Sequence, residues 1–178
     1  MTTPMSGVRV LLVDDNQHMR SIVATVLAGV GVLQVRECCD GAEALDALRQ
    51  WPADLAIVDF QMSPIDGVEF TRLVRQAGDS PNPFLPIIML TGHAAKARVE
   101  EARDAGVTEF VVKPVTARAV LDRINAVIQR PRPFVRTTDY FGPDRRRRQD
   151  PAHLGPWRRK GDEDKAAAMP AVAASAKG

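Results

Sequence analysis

Polar side chains capable of metal and group-transfer chemistry stand directly after four short apolar segments of this chain. The segments and the side chains that follow them are residues 8–13 with Asp14 and Asp15, residues 55–58 with Asp59, residues 87–90 with Thr91, and residues 107–112 with Lys113. If the segments are strands of one parallel sheet, these side chains meet beyond its carboxyl edge. Three carboxylates would crowd one pocket beside an ammonium group, which is unfavourable unless a cation neutralises them. Carboxylate oxygens suit a hard divalent ion such as Mg²⁺.

The elements that must position these residues can be predicted from hydrophobic spacing. The four segments are short and rich in β-branched residues, which is typical of strands buried on both faces. Residues 32–37 supply a further strand, the second along the chain, and amphipathic helical patterns separate the five. Asp40 and Asp66 each precede a glutamate by three residues, which predicts two helix N-caps. The helix at about residues 95–105 has the thinnest apolar face, with Gly106 as its stop. The pattern predicts an α/β fold with a doubly wound, five-stranded parallel sheet.

Charge and composition divide the chain into three parts. Residues 1–7 are predicted to be a flexible amino terminus, and residues 8–129 a single domain with 12 basic and 16 acidic side chains. Residues 130–178 carry 12 basic against 6 acidic side chains, are rich in Pro and Arg and then in Ala, and are expected to be partly or wholly disordered. No apolar run is long enough to span a bilayer, and the amino end lacks signal-peptide features. Cys38 and Cys39 are expected to be reduced, buried thiols. We therefore expect a cytoplasmic protein that does not span the membrane.

Residues 8–129 resemble a response-regulator receiver domain of the stand-alone chemotaxis type. The resemblance rests on four motifs in the right order, namely Val-Asp-Asp at 13–15, Asp-Phe-Gln-Met-Ser-Pro-Ile-Asp-Gly at 59–67, Leu-Thr-Gly at 90–92 and Val-Lys-Pro at 112–114. It implies a flavodoxin-like sheet in the order 2-1-3-4-5. Ser63 departs from the family pattern, which usually has proline there, and Pro64 follows one place later. We expect an altered loop at this position without loss of chemistry.

The resemblance implies a role for each residue of the pocket. Asp59 would be the phosphoacceptor, because its carboxylate can attack phosphorus to form an acyl phosphate. The implied ligands of Mg²⁺ (or Mn²⁺) are Asp14 through water, Asp15, Asp59 and the main-chain carbonyl of Gln61. Thr91 and Lys113 would contact the phosphoryl oxygens, and the Lys113–Pro114 peptide would be cis. Gln61 and His93 would tune dephosphorylation.

In such domains phosphorylation is a switch. The resemblance implies that the protein is not a turnover enzyme and assists only its own phosphorylation and dephosphorylation. Thr91 would draw in the loop before the fourth helix, and the ring of Phe110 would turn inward. The phosphoryl donor would be a histidine kinase or a phosphotransfer protein, and a protein partner would bind the face made by the fourth helix, fifth strand and fifth helix. Dimerisation is left open. A haloacid-dehalogenase-type phosphatase would need an acid two positions after its nucleophile, where Asn16 and Gln61 stand.

The segment after residue 129 leaves two interpretations open. Basic side chains at 145–148 and 158–160 alternate with the aromatic residues Phe134, Tyr140, Phe141 and Trp157. Such a patch could bind nucleic acid or an acidic membrane surface. Binding of nucleic acid would make the chain a receiver-controlled nucleic-acid-binding regulator. The aromatic residues could instead dock on the chain's own acidic domain. The segment is too short, and too rich in proline, for a familiar output domain.

Overall fold

A computed structural model describes residues 5–92 and 96–145, so His93 and the segment after Arg145 lie outside the described residues. The sheet is entirely parallel, with its five strands in the order β2-β1-β3-β4-β5. The predicted doubly wound fold is confirmed. In chain order the elements are β1 (Arg9–Val13), α1 (Gln17–Gly29), β2 (Gln34–Cys38), α2 (Gly41–Gln50), β3 (Leu55–Asp59), α3 (Gly67–Gln76), β4 (Ile87–Thr91), α4 (Lys96–Ala105), β5 (Glu109–Val112), α5 (Ala117–Gln129), β6 (Phe134–Arg136) and β7 (Phe141–Pro143).

Helices cover both faces of the sheet and divide its core in two. On one face, side chains of β1, β3 and β4 pack against α1 and α5. On the other face they pack against α2 and α3. Every residue of β3 and β4 is buried, as predicted. β5 is an edge strand, however, and leaves Val112 61% exposed, so the expectation that all four segments are buried on both faces is wrong for β5.

Helices α2 and α3 begin where the sequence predicts. The carboxylates of Asp40 and Asp66 accept hydrogen bonds from the main-chain nitrogens of Glu43 and Glu69, both at 2.8 Å. The side chain of Glu43 reaches back one residue further than a capping box requires and accepts from Cys39 N at 2.6 Å. Both cysteines are free, but Cys39 is exposed, which corrects the expectation of two buried thiols. Among the described residues no helix is long and apolar enough to cross a membrane.

A small antiparallel hairpin, formed by β6 and β7, follows α5 and packs against the parallel-sheet domain. The rings of Phe134 and Phe141 meet Phe84, each with its centroid 5.2 Å from the Phe84 centroid. The proline-rich sequence did not predict this hairpin. Its aromatic residues dock on the chain's own domain, which is the second of the two interpretations left open, and Phe134, Tyr140 and Phe141 are therefore buried and not free to stack on bases.

Arg75, near the end of α3, lies beneath the hairpin and is 2% exposed. Its guanidinium donates to the carbonyl oxygen of Gly106 from Nε and Nη2, at 3.2 and 3.0 Å, and to that of Pro83 from Nη1 at 2.7 Å. The Phe134 ring covers it, with 5.0 Å from Cζ to the ring centroid. Burial lowers the pKa of this guanidinium to about 9, so it stays charged at neutral pH. The charge is satisfied by carbonyl dipoles and an aromatic face.

Candidate functional site

The carboxyl edge of the sheet brings together the acidic, hydroxyl and amino groups that the sequence analysis selected. Asp14 stands one residue beyond β1, Asp59 ends β3, Thr91 ends β4 and Lys113 stands one residue beyond β5. The strands β1, β3, β4 and β5 are neighbours in the sheet, so their ends converge. Residues separated by up to about a hundred positions in sequence thus form one site because of the strand order.

Lys113 is the cation of this site. Its Nζ lies 2.7 Å from Asp59 Oδ1 and 3.7 Å from Asp14 Oδ2. The Lys113 main-chain nitrogen donates to Thr91 O at 2.8 Å, which anchors the base of the lysine to the end of β4. The peptide bond between Lys113 and Pro114 is cis, the geometry that the resemblance implied. The Lys113 backbone is therefore anchored to β4, and the ammonium group at the end of its side chain pairs with the Asp59 carboxylate.

Asp14 is almost completely buried, with 1% of its surface exposed, so a negative charge on its carboxylate is poorly solvated. Its Oδ1 accepts from Asn16 N at 2.8 Å, whereas its Oδ2 finds no hydrogen-bond donor among the described residues. Burial raises the pKa of the Asp14 carboxyl, and the Asn16 hydrogen bond opposes this shift. The nearby negative charge of Asp59 raises the pKa further, and Lys113 lowers it. An ionised carboxylate in this position calls for a further positive charge.

The three carboxylates fit a divalent metal ion. One oxygen from each of Asp14, Asp15 and Asp59 can be chosen so that all three lie within 4.8 Å of one another. Asp15 is exposed, which leaves room for water molecules around an ion. Asp14 Oδ2, which accepts no hydrogen bond from the described residues, and the other hard oxygen donors match the preferences of Mg²⁺, which keeps several waters when bound to proteins.

Gly67 is a contributor that the sequence analysis quoted within a motif but to which it gave no role. It is the first residue of α3, and a Cβ placed on it would lie 2.3 Å from the carbonyl oxygen of Asp59. The Gly67 nitrogen also donates to Phe60 O at 3.2 Å. α3 therefore begins in direct contact with the backbone that presents Asp59. The glycine after the Asp66 N-cap was the signal in the sequence, but only the register between α3 and β3 shows what it touches.

Arg20 is a second residue that sequence reasoning missed. From α1, its Nη1 donates to the main-chain oxygen of Asp14 at 2.7 Å, and its Nε lies 3.4 Å from Glu37 Oε2 at the end of β2. The turn that carries Asp14 and Asp15 is thus tied to two elements. No local motif marks an arginine for this role, because the contact depends on how α1 lies over the strand ends.

Two of the three remaining predicted residues, Phe110 and Gln61, are described by the structure. Phe110 is half-buried and packs against a small apolar cluster that includes Phe60 and Ala102. Gln61 is exposed in the loop after β3, and His93 lies outside the described residues. In the same loop, the Ser63–Pro64 peptide is cis, at the position where the sequence predicted an altered conformation.

Comparison with known proteins gives a consistent result. The family model described as the response regulator receiver domain matches residues 10–125. The chemotaxis protein CheY of Pseudomonas aeruginosa is 34% identical over 122 residues, covering 68% of this chain and 97% of that protein. CheY-3 of Vibrio cholerae is 31% identical over 124 residues, covering 70% of this chain and 94% of that protein.

A solved structure agrees with these sequence matches. The structure of chemotaxis protein CheY4 of Vibrio cholerae superposes with a TM-score of 0.62 at 32% identity, covering 67% of this chain and 98% of that one. The shared part includes every residue of the acidic site, whereas the hairpin lies beyond the family match. The chain belongs to the response-regulator receiver family and carries a CheY-like receiver domain.

Proposed function

We propose that this protein is a phosphoacceptor switch of a two-component system in which Asp59 receives the phosphoryl group. The observation that carries the proposal is the contact of 2.7 Å between Lys113 Nζ and Asp59 Oδ1, beside the buried Asp14 Oδ2, which accepts no hydrogen bond from the described residues. A buried nucleophilic carboxylate, a cation and a candidate metal site thus coincide at the carboxyl edge of the sheet. The arrangement supports transfer of a phosphoryl group from a histidine kinase or a phosphotransfer protein.

Each residue of the site has a distinct role in the transfer of the phosphoryl group. An Asp59 carboxylate oxygen attacks phosphorus, forming an O–P bond while the bond from phosphorus to the donor's histidine nitrogen breaks. Lys113 and the Thr91 hydroxyl stabilise the negative charge on the transferring oxygens. Asp14, Asp15, Asp59 and the Gln61 carbonyl would hold Mg²⁺, which neutralises phosphoryl charge when bound. Exposed Gln61 and His93 are proposed to set how quickly water hydrolyses the acyl phosphate.

The output is proposed to be protein-protein interaction through α4, β5 and α5. Phosphorylation would bias the Thr91 hydroxyl and the Phe110 ring between two arrangements, and a partner with unequal affinity for them would read the state. Turnover of an external substrate is not part of this proposal. We propose that the switch acts in the cytoplasm. The chain's own docking of Phe134, Tyr140 and Phe141 favours protein partners over nucleic acid.

The direct test is phosphorylation by acetyl phosphate with Mg²⁺, followed by intact mass measurement. The wild-type protein should gain one phosphoryl group, and Asp59→Asn should gain none. Asp79→Asn is the matched control, because Asp79 is an exposed acid whose carboxylate pairs with Arg49, away from the site. Phosphorylation of Asp59→Asn at the wild-type rate would refute the assignment.

A further inference from the structure

α4 physically connects the phosphoacceptor site with the hairpin. The helix begins at Lys96, shortly after Thr91 at the end of β4, and ends at Ala105. A helix of ten residues spans about 15 Å. Its amino end therefore adjoins the site, while its carboxyl end adjoins Gly106, which the hairpin covers. A displacement of the helix at one end must appear at the other if the helix moves as a rigid body.

The packing of α4 on its own domain is thin. Of the α4 side chains that the structure describes, only those of Ala102 and Ala105 are buried. Arg98 lies across the Phe60 ring at 4.7 Å, and an exposed ion pair joins Glu101 to Arg72 at 3.2 Å. Two methyl groups provide little apolar burial, and a helix of this length is marginal without tertiary contacts. Contacts at its ends therefore have a large influence on its position.

The hairpin and the two residues that follow it supply such contacts at the carboxyl end of α4. Arg145 forms an ion pair with Asp104 in the last turn of α4 and stacks on Tyr140, with 4.3 Å from Cζ to the ring centroid. A cation at this end also interacts favourably with the helix dipole. The backbones of Gly142 and Gly106 lie so close that a Cβ on Gly142 would be 3.0 Å from Gly106 Cα. We call the Arg145–Asp104 ion pair and the Gly142–Gly106 approach the latch.

Gly106 has a backbone that a larger residue would not adopt without strain. Its φ is +106°, and a Cβ there would meet the Arg75 side chain at 3.1 Å and Phe141 O at 3.2 Å. The end of α4, the Arg75 guanidinium and β7 therefore meet at Gly106, where no space is left for a side chain. A shift of α4 would move Gly106 relative to the hairpin, which would loosen the latch.

We propose that the latch is regulatory: it holds α4 in the unphosphorylated position, and a phosphoryl group on Asp59 loosens it. This inference rests on the proposed function. Arg145 is the first of four consecutive arginines in the sequence. The latch therefore also determines whether the start of this basic run is held against α4. Because coupling between two sites is reciprocal, weakening the latch should strengthen binding of a phosphoryl group mimic at Asp59.

Amide hydrogen exchange on the full chain, with and without beryllofluoride and Mg²⁺, tests the proposal. In the wild-type protein, beryllofluoride should increase exchange several-fold in residues 134–145 while it protects amides around Lys113. Asp104→Asn and Arg145→Gln should show the faster exchange already without beryllofluoride. They should also bind beryllofluoride about two- to fivefold more tightly, the range that one exposed ion pair supplies. Asp139→Asn is the matched control, because Asp139 is exposed in the turn of the hairpin.

The outcomes separate the latch from the site. Protection around Lys113 with unchanged exchange in residues 134–145 would overturn the latch and leave the proposed function standing. Equal behaviour of Asp104→Asn and Asp139→Asn would overturn it as well, because the hairpin would then be only a stabilising cover. Absence of any effect around Lys113, with no phosphoryl gain from acetyl phosphate, would reject the proposed function and the latch together.

Discussion

Replacing Phe134 by alanine should destabilise the whole receiver domain, although the residue lies outside the part that resembles other receivers. The ring is 5% exposed and lies between Phe84, Phe141 and the Arg75 guanidinium, with 5.2, 5.6 and 5.0 Å to its centroid. Loss of a buried aromatic ring costs about 3–5 kcal/mol in domain cores. The two ring pairs account for about 0.5–1.5 kcal/mol each, and the cation contact for about 1–2 kcal/mol.

The expected loss in the free energy of unfolding is about 3 kcal/mol, at the low end of that range, because a surface hairpin can relax around the cavity. For a domain of this size the loss corresponds to a fall in Tm of about 6–12 °C. Chemical denaturation followed by circular dichroism measures it, with Thr138→Ala as the control, since Thr138 is exposed in the hairpin turn. A loss for Phe134→Ala within about 0.5 kcal/mol of the control would refute the reasoning, because surface substitutions alone account for that much.

Three further predictions concern the acidic site. Asp14→Asn should raise the free energy of unfolding in metal-free buffer, because the raised pKa of Asp14 means that its ionised form is disfavoured in the folded protein. The gain in stability is full at neutral pH and shrinks as pH falls through the raised pKa. Denaturation at several pH values measures it. Lys113→Ala should lower the rate of phosphorylation by acetyl phosphate at least about tenfold, seen by intact mass against time, while a change under twofold would contradict its role. Gly67→Ala should cost about 1–3 kcal/mol of stability and also slow phosphorylation, because its Cβ would press on the Asp59 carbonyl; normal values of both would show that α3 can shift freely.

The sequence was sufficient for the sheet and for most of the acidic site because both depend on local signals. Short β-branched runs predict buried strands, and a polar residue at the end of each run can be assigned to the carboxyl edge without knowing the packing. The same logic failed at β5, whose edge position leaves Val112 exposed in spite of an apolar sequence.

The parts that could not be predicted depend on contacts distant in sequence. Arg75 reads as an ordinary polar residue in the last turn of a helix, and nothing local indicates that Phe134, some sixty residues later, will cover it. The prolines near the hairpin suggested disorder, since proline lacks a backbone donor. In the hairpin, however, Pro133 and Pro143 act as acceptors, their carbonyls bonded to Asp144 N at 2.8 Å and to Tyr140 Oη at 2.7 Å.

The packing of the hairpin over Arg75 has a practical consequence for the choice of boundaries when this receiver is expressed as a fragment. The stretch that similarity defines ends at residue 125, and the last helix ends at Gln129. The packing contacts of the domain, however, extend through the hairpin to Arg145. A fragment that ends at the family boundary would lack the hairpin, and its absence would expose both the Arg75 guanidinium and the Phe84 ring to water. Expression fragments, fusion junctions and domain swaps that use this receiver should therefore be joined after residue 145.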